Sequence, residues 1–229
     1  MVPNCYHKFS KVFSEHNSEK FPDRRPWDHA IDLKPDALTS INCRVYPLSP
    51  AEREEQQNFL DQNLRLKRIR WSKSPYASGF FFIKKKDGKF RLVQDYRNLN
   101  KYPLPLISEL IHKISGKQWF TKLDIRWGYN NVCIKEGDKW KAAFKTSDGL
   151  FKPTVMFFGL TNSLATFQTM MDDDLKEEID KGDTLVYMDD IVIHTNRTLE
   201  EHERCMEEHL AKLQRLGLFL KPEKCHFSQ

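Results

Sequence analysis

The segment TLVYMDDIVIHT at 184–195 constrains the fold more than any other part of the chain. Apolar and β-branched residues flank two adjacent carboxylates, Asp189 and Asp190, so the pattern predicts a pair of strands folded about them. Adjacent carboxylates repel each other and resist desolvation. Two interpretations follow: the pair is solvated at a hairpin tip, because aspartate favours turns, or it belongs to a site that supplies cations.

Further strands and helices alternate along the sequence. The other predicted strands are FFFIKKK and KFRLVQDY about Asp87-Gly88, KAAFKT and LFKPTVMFF about Asp148-Gly149, WFTKLDI at 119–125, and a short strand at Ala30–Leu33. The predicted helices are one from Ser49 with a capping Glu52, one at Ser108–Ser115 stopped by Gly116, one capped by Thr161 or Asn162 and ending near Gly182, and one from Thr198 to Gly217. This mixture predicts an α+β fold with an antiparallel sheet.

The composition excludes several classes of protein. Of the 229 residues 39% are hydrophobic, enough to bury a core, so we do not expect a disordered chain. No stretch approaches the ~20 apolar residues of a membrane span, and the N-terminus lacks the apolar core of a signal peptide. Lys and Arg (37) exceed Asp and Glu (32) by five, which is compatible with a polyanionic partner. We expect an intracellular protein, in the cytoplasm or alternatively in the nucleus.

The cysteines and histidines predict neither a disulfide framework nor a zinc site. Five cysteines are dispersed without a CxxC pair, which is typical of reduced thiols in an intracellular chain. The cluster His202, Cys205 and His209, with Cys225-His226 downstream, has zinc-like residue types. Because it lacks the paired spacing of zinc ligands, we interpret these residues as part of an ordinary helix surface.

A third carboxylate favours the interpretation of the acidic pair as part of a cation site. Asp124 terminates the strand FTKLD, and if this strand neighbours the pair at 184–195, Asp124 and Asp189 converge at one end of a sheet. Three acidic groups there need cations, and oxygen ligands suit Mg²⁺. Two such ions ~3.5–4 Å apart form a clamp for in-line phosphoryl transfer.

The first hairpin carries the positive charge that a triphosphate requires. Three lysines at 84–86 lie on one arm, and Lys89 and Arg91 lie on the other. Pairing through a two-residue turn would place Lys84 opposite Arg91 on one face. The alternative is an edge hairpin protected by lysines, which is common. A metal-carboxylate site elsewhere in the chain favours the triphosphate.

Five motifs in order resemble those of reverse transcriptases, most closely the enzymes of gypsy-type LTR retrotransposon polyproteins. The motifs are FFFIKKKDGKFRLVQDYRNLN, FTKLDIRWGYNNV, VMFFGLTNSLATFQTMM, LVYMDDIVI and LFLKPEKCHF. The resemblance runs from about Phe21 to the last residues. It implies a right-hand polymerase fold of fingers and palm without a thumb, with an antiparallel palm sheet packed on helices. The implied divisions are a lead-in at 1–48, fingers at about 49–105 and 135–160, and palm at about 106–134 and 161–229.

The resemblance also implies an activity and the residues that perform it. An RNA-directed DNA polymerase would add deoxynucleotides to a primer 3′ end, with two Mg²⁺ ions (or Mn²⁺) bound by Asp124 and Asp189 and assisted by Asp190 and the Ile125 carbonyl. The implied nucleotide-binding residues are Arg91, Lys84 or Lys85, Tyr129 as a block to a ribose 2′-hydroxyl, Phe158, Gly159, and Lys224 as proton donor to the departing pyrophosphate. The implied template-binding residues are Asp95, Tyr96 and Arg97. Strand pairing favours Lys84 and motif alignment favours Lys85, so both stay open.

The implied partners are an RNA or DNA template with its primer, dNTPs, and other polyprotein segments such as protease, ribonuclease H and integrase, with no membrane.

Three departures from the family pattern leave alternatives open. Leu164 and Gly79 stand where proline is usual, RNLNKYPLPL is several residues short at the fingers–palm link, and the chain stops where the thumb would begin. The alternative function is a decayed, catalytically inactive remnant that binds nucleic acid, and a third is a structural or partner-binding remnant.

Overall fold

The computed structural model of the chain describes residues 2–33, 40–43, 45–84, 88, 90–94, 114, 116–160 and 162–229. The strands in these residues are β1 (Ile41–Asn42), β2 (Ile69–Trp71), β3 (Tyr76–Ala77), β4 (Phe80–Lys84), β5 (Phe90–Gln94), β6 (Trp119–Asp124), β7 (Phe144–Lys145), β8 (Leu150–Pro153), β9 (Thr184–Tyr187) and β10 (Asp190–Thr195). The α-helices in the same ranges are α1 (Glu15–Ser18), α2 (Pro50–Arg65), α3 (Ser163–Asp174), α4 (Lys176–Asp180) and α5 (Leu199–Leu216). None of these helices is long and apolar enough to cross a membrane.

The chain forms two compact units. The aspartate unit consists of Met1–Lys20, Leu104–Gly128 and Phe167–Gln229, and the hairpin unit consists of Phe21–Pro103 and Tyr129–Thr166. Helices and antiparallel sheets occur together, which confirms the predicted α+β class. The boundaries given above for lead-in, fingers and palm stay a prediction.

An antiparallel sheet in the order β6-β10-β9 forms the centre of the aspartate unit. Helix α5 packs on it, beginning at the predicted capping box of Thr198 and Glu201 and ending before Gly217, whose φ of +69° suits glycine. The buried apolar residues of this unit include Leu123, Ile125, Phe167, Met170, Met171, Ile191, Ile193, Met206, Leu210 and Leu213. The sheet and helix therefore share one apolar core.

The N-terminal residues are packed into the aspartate unit. The Tyr6 ring is buried and lies 5.5 Å from the ring of Phe227. The Val12 carbonyl accepts a hydrogen bond of 2.9 Å from the amide of Leu220. These contacts fasten the first residues of the chain to the segment that follows α5.

Three small sheets lie in the part of the hairpin unit that the structure describes. Strands β2, β8 and β7 form an antiparallel sheet in that order, β1 pairs with β3 in parallel, and β4 pairs with β5. Helix α2 begins at the predicted capping box of Ser49 and Glu52. Its Leu60 joins a core made with Ile69, Phe144, Phe151, Val155 and Phe157.

Gly149 shows why the second hairpin needs glycine at its turn. Its φ of +147° is unfavourable for other residues, and a Cβ added there would lie 2.5 Å from Cζ3 of Trp71. The Trp71 ring packs against Phe151 in a tilted arrangement with 4.5 Å between centroids. Glycine therefore lets the turn lie directly against the indole.

The first hairpin differs in register from the prediction. Arg91 pairs with Ile83, and Lys84 pairs with Phe90, so Lys84 does not lie opposite Arg91. Five residues separate Lys84 from Phe90, and Gly88 among them has a φ of +82°. This register differs from the one expected for a two-residue hairpin turn. The predicted pairing of Lys84 with Arg91 was therefore wrong, and the choice between Lys84 and Lys85 stays a prediction.

Three smaller predictions also differ from the structure. Residues Ala30–Leu33 form no strand, and the adjacent His29 makes an isolated bridge to Ile134. The helix expected to reach Gly182 is divided into α3 and α4 at Leu175, whose φ of −111° lies outside the helical range. The predicted helix at Ser108–Ser115 lies outside the described residues, apart from position 114.

Candidate active site

The end of the β6–β10 pair brings the predicted carboxylates together on neighbouring strands. Asp124, the last residue of β6, pairs with Asp190, the first residue of β10. The Ile125 amide donates a hydrogen bond of 2.7 Å to the Asp189 carbonyl. The prediction that these strands are neighbours is confirmed, whereas the metal-binding role of the aspartates stays a prediction.

The turn that carries Asp189 lies one residue earlier than predicted. Asp190 pairs with Tyr187, so the turn consists of Met188 and Asp189 rather than the two aspartates. Met188 has a φ of +56°, which is unfavourable for a residue with a side chain. The Gln168 amide holds this conformation: its Oε1 accepts from the Met188 amide at 2.8 Å, and its Nε2 donates to the Val186 carbonyl at 3.0 Å.

Asp124 is nearly buried and is held by two lysines. The Lys221 Nζ lies 2.8 Å from Asp124 Oδ1, and the Lys224 Nζ lies 3.6 Å from Oδ2. The Lys221 amide also donates to the Asp124 carbonyl at 2.9 Å. These ammonium groups supply the positive charge that a desolvated carboxylate requires. Lys224 therefore lies beside the predicted metal-binding carboxylate, but Lys221 is closer.

The other two aspartates lie in more open surroundings. Asp190 forms a 2.9 Å ion pair with Lys122, and both side chains are exposed enough for solvent to screen the pair. A Cβ added to Gly128 would lie 3.3 Å from the Asp189 Cβ and 3.4 Å from Phe167. Glycine at 128 therefore leaves room for Asp189.

The thiol of Cys225 adjoins Asp124 without being ionised. Burial is the main cause that raises the pKa of Cys225 to about 11, whereas Asp124 lowers this pKa through a backbone hydrogen bond and raises it through its charge. The protonated thiol donates to the Lys221 carbonyl at 3.2 Å. Cys225 thus helps to fix the backbone of Lys221.

The donor atoms at this end of the sheet suit a hard divalent cation. Carboxylates of Asp124, Asp189 and Asp190 and the carbonyl of Ile125 offer oxygen ligands, which Mg²⁺ and Mn²⁺ prefer. In the part of the chain that the structure describes, no three acidic, histidine or cysteine side chains are already grouped as a metal centre. The oxygen donors therefore suit the ion, but in this structure the carboxylates of Asp124 and Asp190 form ion pairs with lysines.

Tyr129 and Phe158 contact each other in the hairpin unit. Tyr129 lies in the 3-10 segment Gly128–Asn131, and its ring packs edge-on against Phe158 with 4.8 Å between centroids. Phe158 remains exposed, and Gly159 beside it has a φ of +100°. The structure therefore brings together three of the residues predicted to contact a nucleotide.

The remaining predicted residues are only partly described. Lys84 ends β4 with an exposed side chain, and Arg91 is placed in β5 by its pairing with Ile83. Lys85, Asp95, Tyr96 and Arg97 lie outside the described residues.

The histidines of the zinc-like cluster have structural partners. His202 bonds through Nε2 to Thr121 Oγ1 at 2.9 Å and through Nδ1 to Thr195 Oγ1 at 3.0 Å. His209 bonds through Nε2 to Thr184 Oγ1 at 2.7 Å. Burial is the first cause that lowers the pKa of both rings, so they stay neutral and tie α5 to the sheet.

Three residues of the site were not predicted from the sequence: Lys221, Lys122 and Gln168. The available signal for Lys221 was its position in LKPEK, close to Lys224, the predicted proton donor. Nothing in the sequence pairs Gln168 with a turn twenty positions later, or Lys122 with Asp190.

Comparison with known proteins gives consistent matches. The family described as reverse transcriptase (RNA-dependent DNA polymerase) matches residues 83–229. The transposon Tf2-3 polyprotein of Schizosaccharomyces pombe is 34% identical over 235 aligned positions, which take in 100% of this chain but 17% of the polyprotein. The chain thus spans about a sixth of the length of such relatives.

Solved structures share the fold. The native protease-reverse transcriptase of prototype foamy virus matches with a TM-score of 0.82 and 23% identity, covering 98% of this chain and 30% of the viral chain. A foamy viral protease-reverse transcriptase in complex with an RNA/DNA hybrid matches with a TM-score of 0.79 and 23% identity, over 97% of this chain and 30% of that one. These matches confirm the predicted polymerase architecture.

Proposed function

Because the chain belongs to the reverse transcriptase (RNA-dependent DNA polymerase) family, we propose that it is the polymerase portion of a retrotransposon polyprotein. It adds deoxynucleotides to a primer 3′ end under the direction of an RNA template. The observation that carries this proposal is the pairing of Asp124 with Asp190, beside Asp189, at one end of the β6–β10 sheet.

The residues that would hold the metal are those at that sheet end. We infer that Asp124 and Asp189 bind two Mg²⁺ ions, with Asp190 and the Ile125 carbonyl assisting and Mn²⁺ as an alternative. When bound, the ions would make the primer 3′-hydroxyl more acidic and stabilise the departing pyrophosphate. Lys224, with its half-exposed ammonium beside Asp124, is the proposed proton donor to pyrophosphate.

The proposed nucleotide site uses residues of the hairpin unit. Tyr129 would exclude a ribose 2′-hydroxyl, and its edge-on contact with Phe158 supports this role by fixing the ring. The other proposed nucleotide contacts are Arg91, Lys84 or Lys85, and Gly159, and the proposed template contacts are Asp95, Tyr96 and Arg97.

The proposed partners are dNTPs and a primer paired with an RNA or DNA template. Structural neighbours in complex with double-stranded DNA and with an RNA/DNA hybrid support this choice. Such duplexes would be held through their phosphates and shape rather than their base sequence. Protease, ribonuclease H and integrase are the further polyprotein segments we propose, working inside the cell in the cytoplasm or nucleus.

Primer extension tests the function. The chain is incubated with a primed RNA template, dNTPs and Mg²⁺, alongside Asp189→Asn and Asp173→Asn. The second variant is a matched control because it removes an exposed carboxylate of α3 on the same unit. We expect extension by the wild type and by Asp173→Asn, and none by Asp189→Asn. Equal extension by all three proteins would contradict the assignment.

The same assay decides the alternative. A wild-type chain that binds the hybrid in a salt-dependent manner but extends no primer would support an inactive nucleic-acid-binding remnant. Leu164, one of the departures from the family pattern, is accommodated as the second residue of α3.

A further inference from the structure

The ammonium of Lys221 contacts two of the oxygen atoms that are proposed above as metal ligands. Its Nζ lies 2.8 Å from Asp124 Oδ1 and 3.4 Å from the Ile125 carbonyl oxygen. Both atoms belong to the proposed set of metal ligands. Lys221 thus supplies a positive charge at the position where a divalent ion would need to bind.

Several bonds fasten Lys221 to this position. Its amide donates to the Asp124 carbonyl at 2.9 Å, and its own carbonyl accepts from the Lys224 amide at 3.0 Å and from the Cys225 thiol at 3.2 Å. The preceding Leu220 forms a bridge with Ile125. Because these bonds hold the Lys221 backbone beside β6, its ammonium stays within reach of Asp124.

The neighbouring lysines are less suited to this role. Lys224 lies 3.6 Å from Asp124 with a side chain 58% exposed, compared with 23% for Lys221. Lys122 contacts Asp190 in an exposed pair. An ion pair with partly buried partners is screened less by water than an exposed one, so Lys221 exerts the stronger effect on Asp124.

We propose that Lys221 is a built-in competitor of the divalent cation, which neutralises Asp124 in the metal-free protein and must leave its oxygen for the ion to bind. This inference rests on the proposed metal site. An ammonium and a divalent ion repel each other at such distances, so they compete for the same carboxylate oxygen. Lys221 therefore lowers the affinity of the metal-free protein for the divalent ion. It also balances the negative charge of the nearly buried Asp124.

The test measures Mn²⁺ binding alone, through the electron paramagnetic resonance signal of free Mn²⁺, on the full chain at fixed ionic strength. The variants are Lys221→Met, which keeps the stem and removes the charge, Lys221→Arg, Lys224→Met as matched charge control, and Asp124→Asn. We expect Lys221→Met to lower the Mn²⁺ dissociation constant about tenfold. Lys221→Arg should stay near the wild type, Lys224→Met should change it less than about twofold, and Asp124→Asn should lose the site.

Thermal unfolding gives a second readout. Without metal, Lys221→Met should melt below the wild type because Asp124 has lost its close cation, and Mn²⁺ should raise its melting temperature more than that of the wild type. An unchanged or weaker Mn²⁺ affinity for Lys221→Met would overturn the competition. If Asp124→Asn bound Mn²⁺ like the wild type, the metal site itself would be misplaced and both proposals would fail. The result for Lys221→Met therefore tests the competition, and the result for Asp124→Asn tests the metal site.

Discussion

Replacing Gln168 by leucine should release the turn that carries Asp189. The Gln168 side chain accepts from the Met188 amide at 2.8 Å and donates to the Val186 carbonyl at 3.0 Å. Each such hydrogen bond contributes about 1 kcal/mol to stability. Met188 has a left-handed φ of +56°, which costs about 1–2 kcal/mol and needs support from its surroundings. We therefore expect Gln168→Leu to lower the free energy of unfolding by about 2 kcal/mol.

Urea denaturation measures this loss, and the chain offers a matched control. Gln168 also bonds to Asp172 at 2.9 Å, and Gln57 makes the same i,i+4 bond to Asp61 at 2.9 Å on the exposed face of α2. Gln57→Leu should change stability by less than about 0.5 kcal/mol because it breaks the surface bond alone.

Primer extension adds a functional measurement on the same two variants. If the turn positions Asp189 for catalysis, Gln168→Leu should slow extension while Gln57→Leu should not. Equal losses of stability for the two variants, or full extension by Gln168→Leu, would refute the reasoning.

Three further predictions concern stability. Gly149→Ala should lower the melting temperature measured by calorimetry, because the added methyl group would clash with Trp71 and the φ of +147° is strained for alanine. Adding Trp71→Ala to the same chain should remove the clash and recover part of the loss. Burial lowers the pKa of His29 to about 4, so the folded state binds fewer protons than the unfolded chain. Stability should be full above about pH 6.5 and fall from there towards pH 4, and His29→Gln should flatten this part of a pH-dependent denaturation series relative to the exposed His7→Gln. Tyr6→Ala should cost about 3–4 kcal/mol in urea denaturation if the N-terminal segment belongs to the core of the aspartate unit; a loss under about 1 kcal/mol would show that the segment is dispensable.

Local signals in the sequence predicted helix ends and strand identity well. The capping boxes at Ser49 and Thr198 need only residues three positions apart, and both form as expected. The strands on either side of Asp189 follow from apolar and β-branched residues, and they pair as expected. Such features depend on neighbours in the chain, so the sequence contains the information directly.

Features that depend on loop geometry or distant contacts were less predictable. In the first hairpin the register differs by one residue from the prediction, so Arg91 lies opposite Ile83 rather than Lys84. The break at Leu175 lies at a fully buried residue that is not a helix breaker, so no local signal predicts it. Lys221 reaches Asp124 across 97 positions of sequence, and only the folded chain shows that pair.

The central claim is that Asp124 and Asp189 hold the same divalent ions. Anomalous diffraction from crystals of the full chain soaked with Mn²⁺ and a primed hybrid tests it most directly, because Mn²⁺ scatters anomalously and carbon, nitrogen and oxygen do so negligibly. The account predicts anomalous peaks in contact with the carboxylate oxygens of both residues, with the Lys221 ammonium moved off Asp124. Peaks bound to Asp189 without Asp124, or none at this end of the sheet, would contradict it.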